Sequence, residues 1–262
     1  MSKGYVVLAQ NTDSINYIEC AEALALSLKK FNKNASITLI SDDEPSIDIF
    51  DNVVKLPYGD LAPNSDWKLI NDWQVYEASP YVYTIKLEAD LFIPKNLDYY
   101  FELLQHQHVS VCNTILDYKG NVSDVTWYRN FIVDNKLPNV YNAITYFDKS
   151  EFSQKFFKIV RNVFENWDEY RNNLMCNNSE KVTTDWAYSI ACHIMGVENT
   201  THKNGFKMVH MKQFINNLSI EDWTQELIYE IDDTLRIHTL TQSEPFHYHI
   251  KSFSSKIKEA YA

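Results

Sequence analysis

Two acidic residues, Glu88 and Asp90, close an alternating apolar run that begins at Tyr81. Tyr81, Tyr83, Ile85 and Leu87 alternate with Val82, Thr84 and Lys86, which is the pattern of a strand. If the strand stays extended to its end, residues two apart point the same way and the carboxylates of Glu88 and Asp90 converge where the sheet stops. Such oxygens are what a hard divalent cation, Mg2+ or Mn2+, takes as ligands, with a diphosphate supplying the rest. An acid-x-acid tripeptide is equally the solvated end of a strand or a helix cap, so its neighbours have to decide. They are an apolar stub from Leu91, a proline stop at Pro94 and a helix start through Asn96.

The elements that must hold these acids are read in chain order. Tyr5 to Gln10 is a nearly continuous apolar run, which suits an inner strand of a parallel sheet covered on both faces. Asn11 to Ser14 form a loop, and a helix is expected over residues 15–31 with Ile18, Ala21, Leu24, Ala25 and Leu28 at core spacing. A second strand over 36–40 completes a βαβ unit, whose ligand crevice lies beyond the carboxyl ends of the strands. No GxGxxG is present, so the dinucleotide fingerprint is missing. A short strand follows between Asp51 and Pro57, then a loop, then a helix from Trp67 to about Ala78. Past the acids, a helix is expected over 97–104 and strands at 108–113 and 141–147. Residues 117–135 are polar and irregular and read as a variable loop. A helix from Glu151 to about Tyr170 carries an apolar stripe, and another runs from Trp186 to Met195, with Asp185 either its N-cap or a free carboxylate. The fold class is α/β.

The chain has 262 residues and a net charge of −11, from 35 acids and 24 bases. That charge opposes non-specific adhesion to polyanions, so a nucleic-acid acceptor needs a local basic patch. Lys149, Lys155, Lys158 and Arg161, and Lys251, Lys256 and Lys258, are the candidate sets, each equally readable as a solvated helix face. Cys20, Cys112, Cys176 and Cys192 have no metal or disulfide spacing and read as structural thiols. No apolar run reaches transmembrane length and no signal-like start is present, from which a soluble, cytoplasmic protein without membrane contact is expected.

The order of these motifs resembles the GT-A fold nucleotide-sugar glycosyltransferases, in particular the glycogenin and galactosyltransferase-like branch. The carriers are Asn11-x-Asp13, Lys68-Leu69, Glu88-Ala89-Asp90, Asn142-Ala143, Asp185, and His238 followed by Pro245-Phe246. The resemblance implies a mixed, mainly parallel sheet flanked by helices in residues 1–250. Residues 1–110 would be the nucleotide-binding half and 111–250 the donor-sugar and acceptor half, with 251–262 a basic C-terminal tail. It implies that Asn11 and Thr12 meet the nucleoside, that Tyr17 stacks on the base, and that Lys68, or Lys86 in its stead, reaches the phosphates. Glu88, Asp90 and His238 would hold Mn2+ or Mg2+, while Asn142 and Asp185 would act at the sugar. Tyr17 reads equally as a core aromatic, and His247 with His249 as a separate metal pair. Three positions depart from the family: Glu88 replaces Asp, Ile144 replaces a glycine at the sugar, and Glu244 stands where a phosphate-binding lysine is expected, leaving that task to the metal and to Lys251, Lys86 or Lys68. The implied activity is transfer of a sugar from a nucleoside diphosphate, UDP foremost, with retention of configuration. For the acceptor, the chain resembles bacteriophage transferases acting on hydroxymethylcytosine in DNA. An enzyme of cell-surface glycan or protein glycosylation, or a non-catalytic nucleotide- or carbohydrate-binding protein, are the alternatives.

Overall fold

A computed structural model of the chain describes residues 2–123, 126–175 and 181–262; Cys176 lies outside them. In order, the elements are β1 (Lys3–Leu8), α1 (Tyr17–Phe31), β2 (Ile37–Ile40), β3 (Asn52–Val54), α2 (Val75–Ala78), β4 (Tyr83–Glu88), β5 (Leu91–Phe92), α3 (Tyr99–Leu103), β6 (Val109–Cys112) and β7 (Thr114–Leu116). They continue through α4 (Asn130–Asp134), β8 (Tyr141–Asp148), α5 (Glu151–Glu165), α6 (Trp167–Asn173), α7 (Thr184–Met195), α8 (Val197–Thr200) and β9 (Lys207–His210). The chain closes with α9 (Gln213–Asn216), α10 (Trp223–Glu226), β10 (Tyr229–Ile231), β11 (Leu235–Ile237), β12 (Leu240–Thr241), β13 (Phe246–His247) and α11 (Phe253–Tyr261).

The main sheet has the order β3-β2-β1-β4-β8-β6, parallel through β4, with β8 antiparallel to both β4 and β6. Alternate residues of β1 feed two cores. Tyr5 and Val7 pack with Leu24, Leu28, Ile85 and Leu87 under α1. Val6 packs with Val109, Phe147, Phe156 and Tyr188 under α5 and α7. The unbroken apolar run of β1 is therefore a strand covered on both faces. The expected α1 stripe, Ile18 to Leu28, is buried, and Asn16 caps the helix by accepting from the Glu19 amide at 3.0 Å.

A second sheet, β5-β13-β9-β7, stands beside the first and joins it through the turn at Ala89-Asp90. β13 lies antiparallel to β5 and parallel to β9. The strand carrying the acids thus ends at Glu88, and Asp90 sits in a turn rather than continuing an extended strand. The segment expected as one helix from Trp67 is a 3-10 stretch, Lys68–Gln74, followed by α2. The expected helix from Glu151 breaks at Asn166, between α5 and α6. Residues 251–262, expected as a tail, turn into α11, which packs against α1. Phe253 and Ile257 are buried in a third core with Trp223, and Lys258 pairs with Glu22 at 2.5 Å. Among the described residues no helix is long and apolar enough to cross a membrane.

Candidate active site

Register places the site. Leu8 pairs with Glu88, so β1 and β4 end level with each other, and a cleft opens beyond their carboxyl ends. It has two chambers, of about 300 and 440 Å³, which share Leu69, Glu88, His247 and His249 as common wall. The smaller is bounded by Leu8, Gln10, Tyr17, Lys68, Lys86, Asp90 and Lys251. The larger is bounded by Tyr128, Arg129, Tyr141, Asp185, His210 and Lys212.

On the common wall, one potential ligand atom from each of Glu88, Asp90 and His247 lies within 4.8 Å of the others. His247 Nε2 is 2.9 Å from Asp90 Oδ2 and 3.6 Å from Glu88 Oε2. The Lys251 ammonium ion-pairs with the same Asp90 oxygen. Burial alone would raise the Asp90 pKa, but His247 and Lys251 outweigh it and hold the carboxyl well below its usual range. At Glu88, burial prevails over Lys86 and His247 and the pKa rises, with the Asp90 charge adding to the effect. Two carboxylates and an imidazole form a donor set that fits Mn2+ or Mg2+, and the ammonium already beside Asp90 shows that the site accepts positive charge.

Behind the acids runs a chain of buried polar contacts. The register of β8 against β6 shifts after Thr145, leaving residues 142–144 without partners on β6. A bulge of this kind re-aims side chains. Here Asn142 turns its amide to Glu88 Oε1 at 2.9 Å and accepts a hydrogen bond from Lys86 through Oδ1. Lys86, almost fully buried, is neutralised by Asp72 Oδ1 at 2.7 Å, and the Tyr188 hydroxyl donates to the other Asp72 oxygen at 2.6 Å. Asp185 is not the helix cap. Thr183 Oγ1 accepts from the Trp186 amide, which leaves the Asp185 carboxylate free to accept the Asn142 amide at 2.9 Å and the Arg129 guanidinium at 3.1 Å. Burial would lower the Arg129 pKa, but Asp185 prevails and raises it. Lys212 sits across the larger chamber with its pKa lowered by burial, against the opposing pull of Asp185.

Of the residues expected from sequence, Tyr17, Lys68, Lys86, Glu88, Asp90, Asn142 and Asp185 come together around this cleft. Tyr17 is both half-buried against the α1 core and exposed to the smaller chamber, with Lys251 5.4 Å from its ring centre. Lys68 is held by Asp60 Oδ2 at 2.6 Å and the Ala62 carbonyl at 2.7 Å. Asn11 and Thr12 line neither chamber. Asn11 Oδ1 accepts from the Ile18 amide and Thr12 Oγ1 from the Ile15 amide, so both order the loop before α1.

His238 is displaced from its expected place as the third ligand. It is exposed, in a left-handed turn (φ 52°) between β11 and β12, while β13 carries His247 to the acids. Downstream of His238 the sequence offers a second histidine followed by a lysine and an aromatic, His247, Lys251 and Phe253. That spacing was the available signal. Glu244 pairs with Lys95 at 2.5 Å and lines neither chamber. Ile144 is buried on β8 opposite Leu87. Arg129, Asp72, Tyr188, His210 and Lys212 were not anticipated, since nothing local marks them. On the expected basic faces, Lys149 donates to the Tyr76 carbonyl, Lys158 to Gln154, Arg161 to Glu165 and Lys256 to Glu259.

No protein-family profile matches the chain, and no curated protein matches its sequence. Solved structures do match. The galactosyltransferase LgtC, solved in complex with donor and acceptor sugar analogs, superposes with a TM-score of 0.57 at 10% identity, covering 98% of this chain and 94% of LgtC. Mouse xyloside xylosyltransferase 1 gives 0.53 at 10% identity, covering 95% and 98%. The chain spans 46% of the length of the glycosyltransferase GlyE of Streptococcus pneumoniae TIGR4, at 14% identity and a TM-score of 0.47 over 78% of this chain. The fold shared with LgtC and the xylosyltransferase is the GT-A arrangement.

Proposed function

We propose that the protein is a divalent-cation-assisted glycosyltransferase, moving a sugar from a nucleoside diphosphate, UDP foremost, to an acceptor hydroxyl. The observation that carries this is the common wall. A donor set of Glu88, Asp90 and His247 stands on the wall shared by the chamber that holds Tyr17 and Lys251 and the chamber that holds Asp185, at the carboxyl ends of β1 and β4. A diphosphate bridging the two chambers would pass over that wall. The cation held there would supply charge stabilisation for the departing diphosphate without a proton donor.

The chain's own residues divide the remaining work. Tyr17 offers a ring face to the base. Lys251, already at Asp90, supplies a positive charge at the diphosphate position. Lys86 stays buried and fixes Asn142, whose amide in turn orients Glu88. Asp185, aimed by Arg129, takes hydroxyl groups in the larger chamber and positions the sugar for attack. The acceptor is better sought among glycans than DNA, because the net charge is −11 and Lys149, Lys158 and Arg161 of the candidate basic face are engaged by their neighbours.

The test is turnover. A panel of nucleotide sugars is incubated with Mn2+, with Mg2+ and with chelator, and released nucleoside diphosphate is measured with and without glycan, peptide and hydroxymethylated DNA acceptors. Cation-dependent release from one donor, lost in Glu88→Gln and Asp90→Asn, is expected. Release that persists in both variants, or none from any donor, refutes the assignment.

A further inference from the structure

Beside the acid pair, three imidazoles occupy one small space. β9 and β13 run parallel with His210 opposite His247, so both rings leave the same face of the sheet. His249 follows with a left-handed backbone, φ 59°, which non-glycine residues adopt only where their surroundings enforce it. That conformation brings its ring to 3.8 Å from the His247 ring centre and 4.5 Å from that of His210. His249 Nε2 lies 3.1 Å from His210 Nδ1. One ring nitrogen of each residue is within 4.8 Å of the other two.

Burying polar ring atoms costs free energy unless each finds a partner. His210 and His247 are 4% and 7% exposed, and His247 Nδ1 is buried without a partner. Three apolar side chains would fill this place with neither the orphaned nitrogen nor the strained backbone. What the histidines alone provide is a set of converging nitrogen lone pairs.

We propose that His210, His247 and His249 form a second cation site, selective for a nitrogen-preferring transition metal such as Zn2+ or Co2+, which shares the His247 ring with the carboxylate site. Three imidazoles with a fourth position open are a zinc ligand set, whereas two carboxylates and one imidazole suit Mn2+ or Mg2+. His247 belongs to both sets. An ion held by the three imidazoles places a second positive charge on the ring whose Nε2 faces Glu88 and Asp90, and zinc becomes an inhibitor of Mn2+-supported turnover. The binding claim stands without the transferase reading, and only the inhibition rests on it.

The experiment is titration of the metal-free, full-length protein with Co2+, followed by its visible absorption, and with Zn2+ by calorimetry, both without nucleotide. Glu88→Gln/Asp90→Asn removes the carboxylate set. His249→Asn removes one imidazole while tolerating the left-handed backbone, and His210→Gln removes another should the first variant unfold. Thermal unfolding of each metal-free variant checks the fold. Wild type and the carboxylate variant are expected to show the intense band of four-coordinate cobalt and to bind zinc equally tightly. The histidine variants lose the band and at least about tenfold in zinc affinity, since even outer-sphere changes cost that much at metal sites. A band that survives loss of His249 and His210, or that disappears with Glu88 and Asp90, overturns the proposal. So does Zn2+ binding no tighter than Mn2+.

Discussion

Replacing Lys86 by methionine tests whether the acids are held from behind by a buried ion pair. The Lys86 side chain is 1% exposed and that of Asp72 8%, with 2.7 Å between ammonium and carboxylate. Lys86 also bonds the side chain of Asn142 and lies 3.3 Å from its carbonyl oxygen. In Lys86→Met, Asp72 keeps the Tyr188 hydroxyl as its partner but has lost its counter-charge. Removing one member of a buried pair costs about 3–5 kcal/mol, because the other charge stays desolvated. At about 2–4 °C per kcal/mol for a chain of this size, the unfolding midpoint falls by about 6–20 °C. Replacing both charges by apolar groups removes the desolvation cost as well but leaves the buried Tyr188 hydroxyl without its acceptor, so Lys86→Met/Asp72→Leu recovers part of the loss. Urea denaturation of the two single variants, the double variant and wild type closes the cycle. If Lys86→Met stays within about 1 kcal/mol of wild type, the pair behaves like a surface salt bridge and the reasoning fails.

Two histidines separate the third ligand expected from sequence, His238, from the proposed one, His247. His247→Ala loses at least about tenfold in Mn2+ affinity by calorimetry, while His238→Ala, an exposed turn residue, binds as wild type. Asp185→Asn keeps an acceptor for the Asn142 amide but not the charge facing the larger chamber. Turnover should fall at least about a hundredfold with nucleotide affinity unchanged, and loss of nucleotide affinity instead would place Asp185 in a different role. Burial, with their neighbouring cations, depresses the pKa values of His210 and His249 well below the usual 6.5. The unfolded chain therefore binds protons that the folded chain refuses. With chelator present, stability is complete above about pH 6.5 and declines as pH falls below it, by about 1.4 kcal/mol per pH unit for each group. Thermal unfolding at about pH 7.5 and 5.5 reads this slope, and His210→Gln should flatten it.

The main sheet was legible because its strands are long enough to carry a pattern. Tyr5 to Gln10 reads as a two-sided inner strand and the run from Tyr81 as an alternating one, and strands form there at Lys3–Leu8 and Tyr83–Glu88, with their carboxyl ends level. Asp185 was legible as one of two alternatives, which the Thr183 cap decides. His247 was harder, because β13 is two residues long and has no period to read. It is a strand only because β5 and β9 flank it. His238 had the stronger local setting, after the run Leu235 to Ile237, yet that hairpin belongs to a separate three-stranded sheet. Arg129 comes from the irregular stretch before β8, and Asp72 from a 3-10 turn. Their roles depend on charges more than 10 residues away in sequence, at Asp185 and Lys86, and no local pattern reports such pairings.

The central claim is that Glu88, Asp90 and His247 hold a cation which in turn holds a nucleoside diphosphate. Calorimetric titration with UDP, the other nucleoside diphosphates and their sugars, with Mn2+ and then with chelator, tests it most directly. One nucleotide is predicted to bind with Mn2+ and to be lost both with chelator and in Glu88→Gln/Asp90→Asn. Binding that is indifferent to cation and to both acids, or the absence of binding by every nucleotide, contradicts the account.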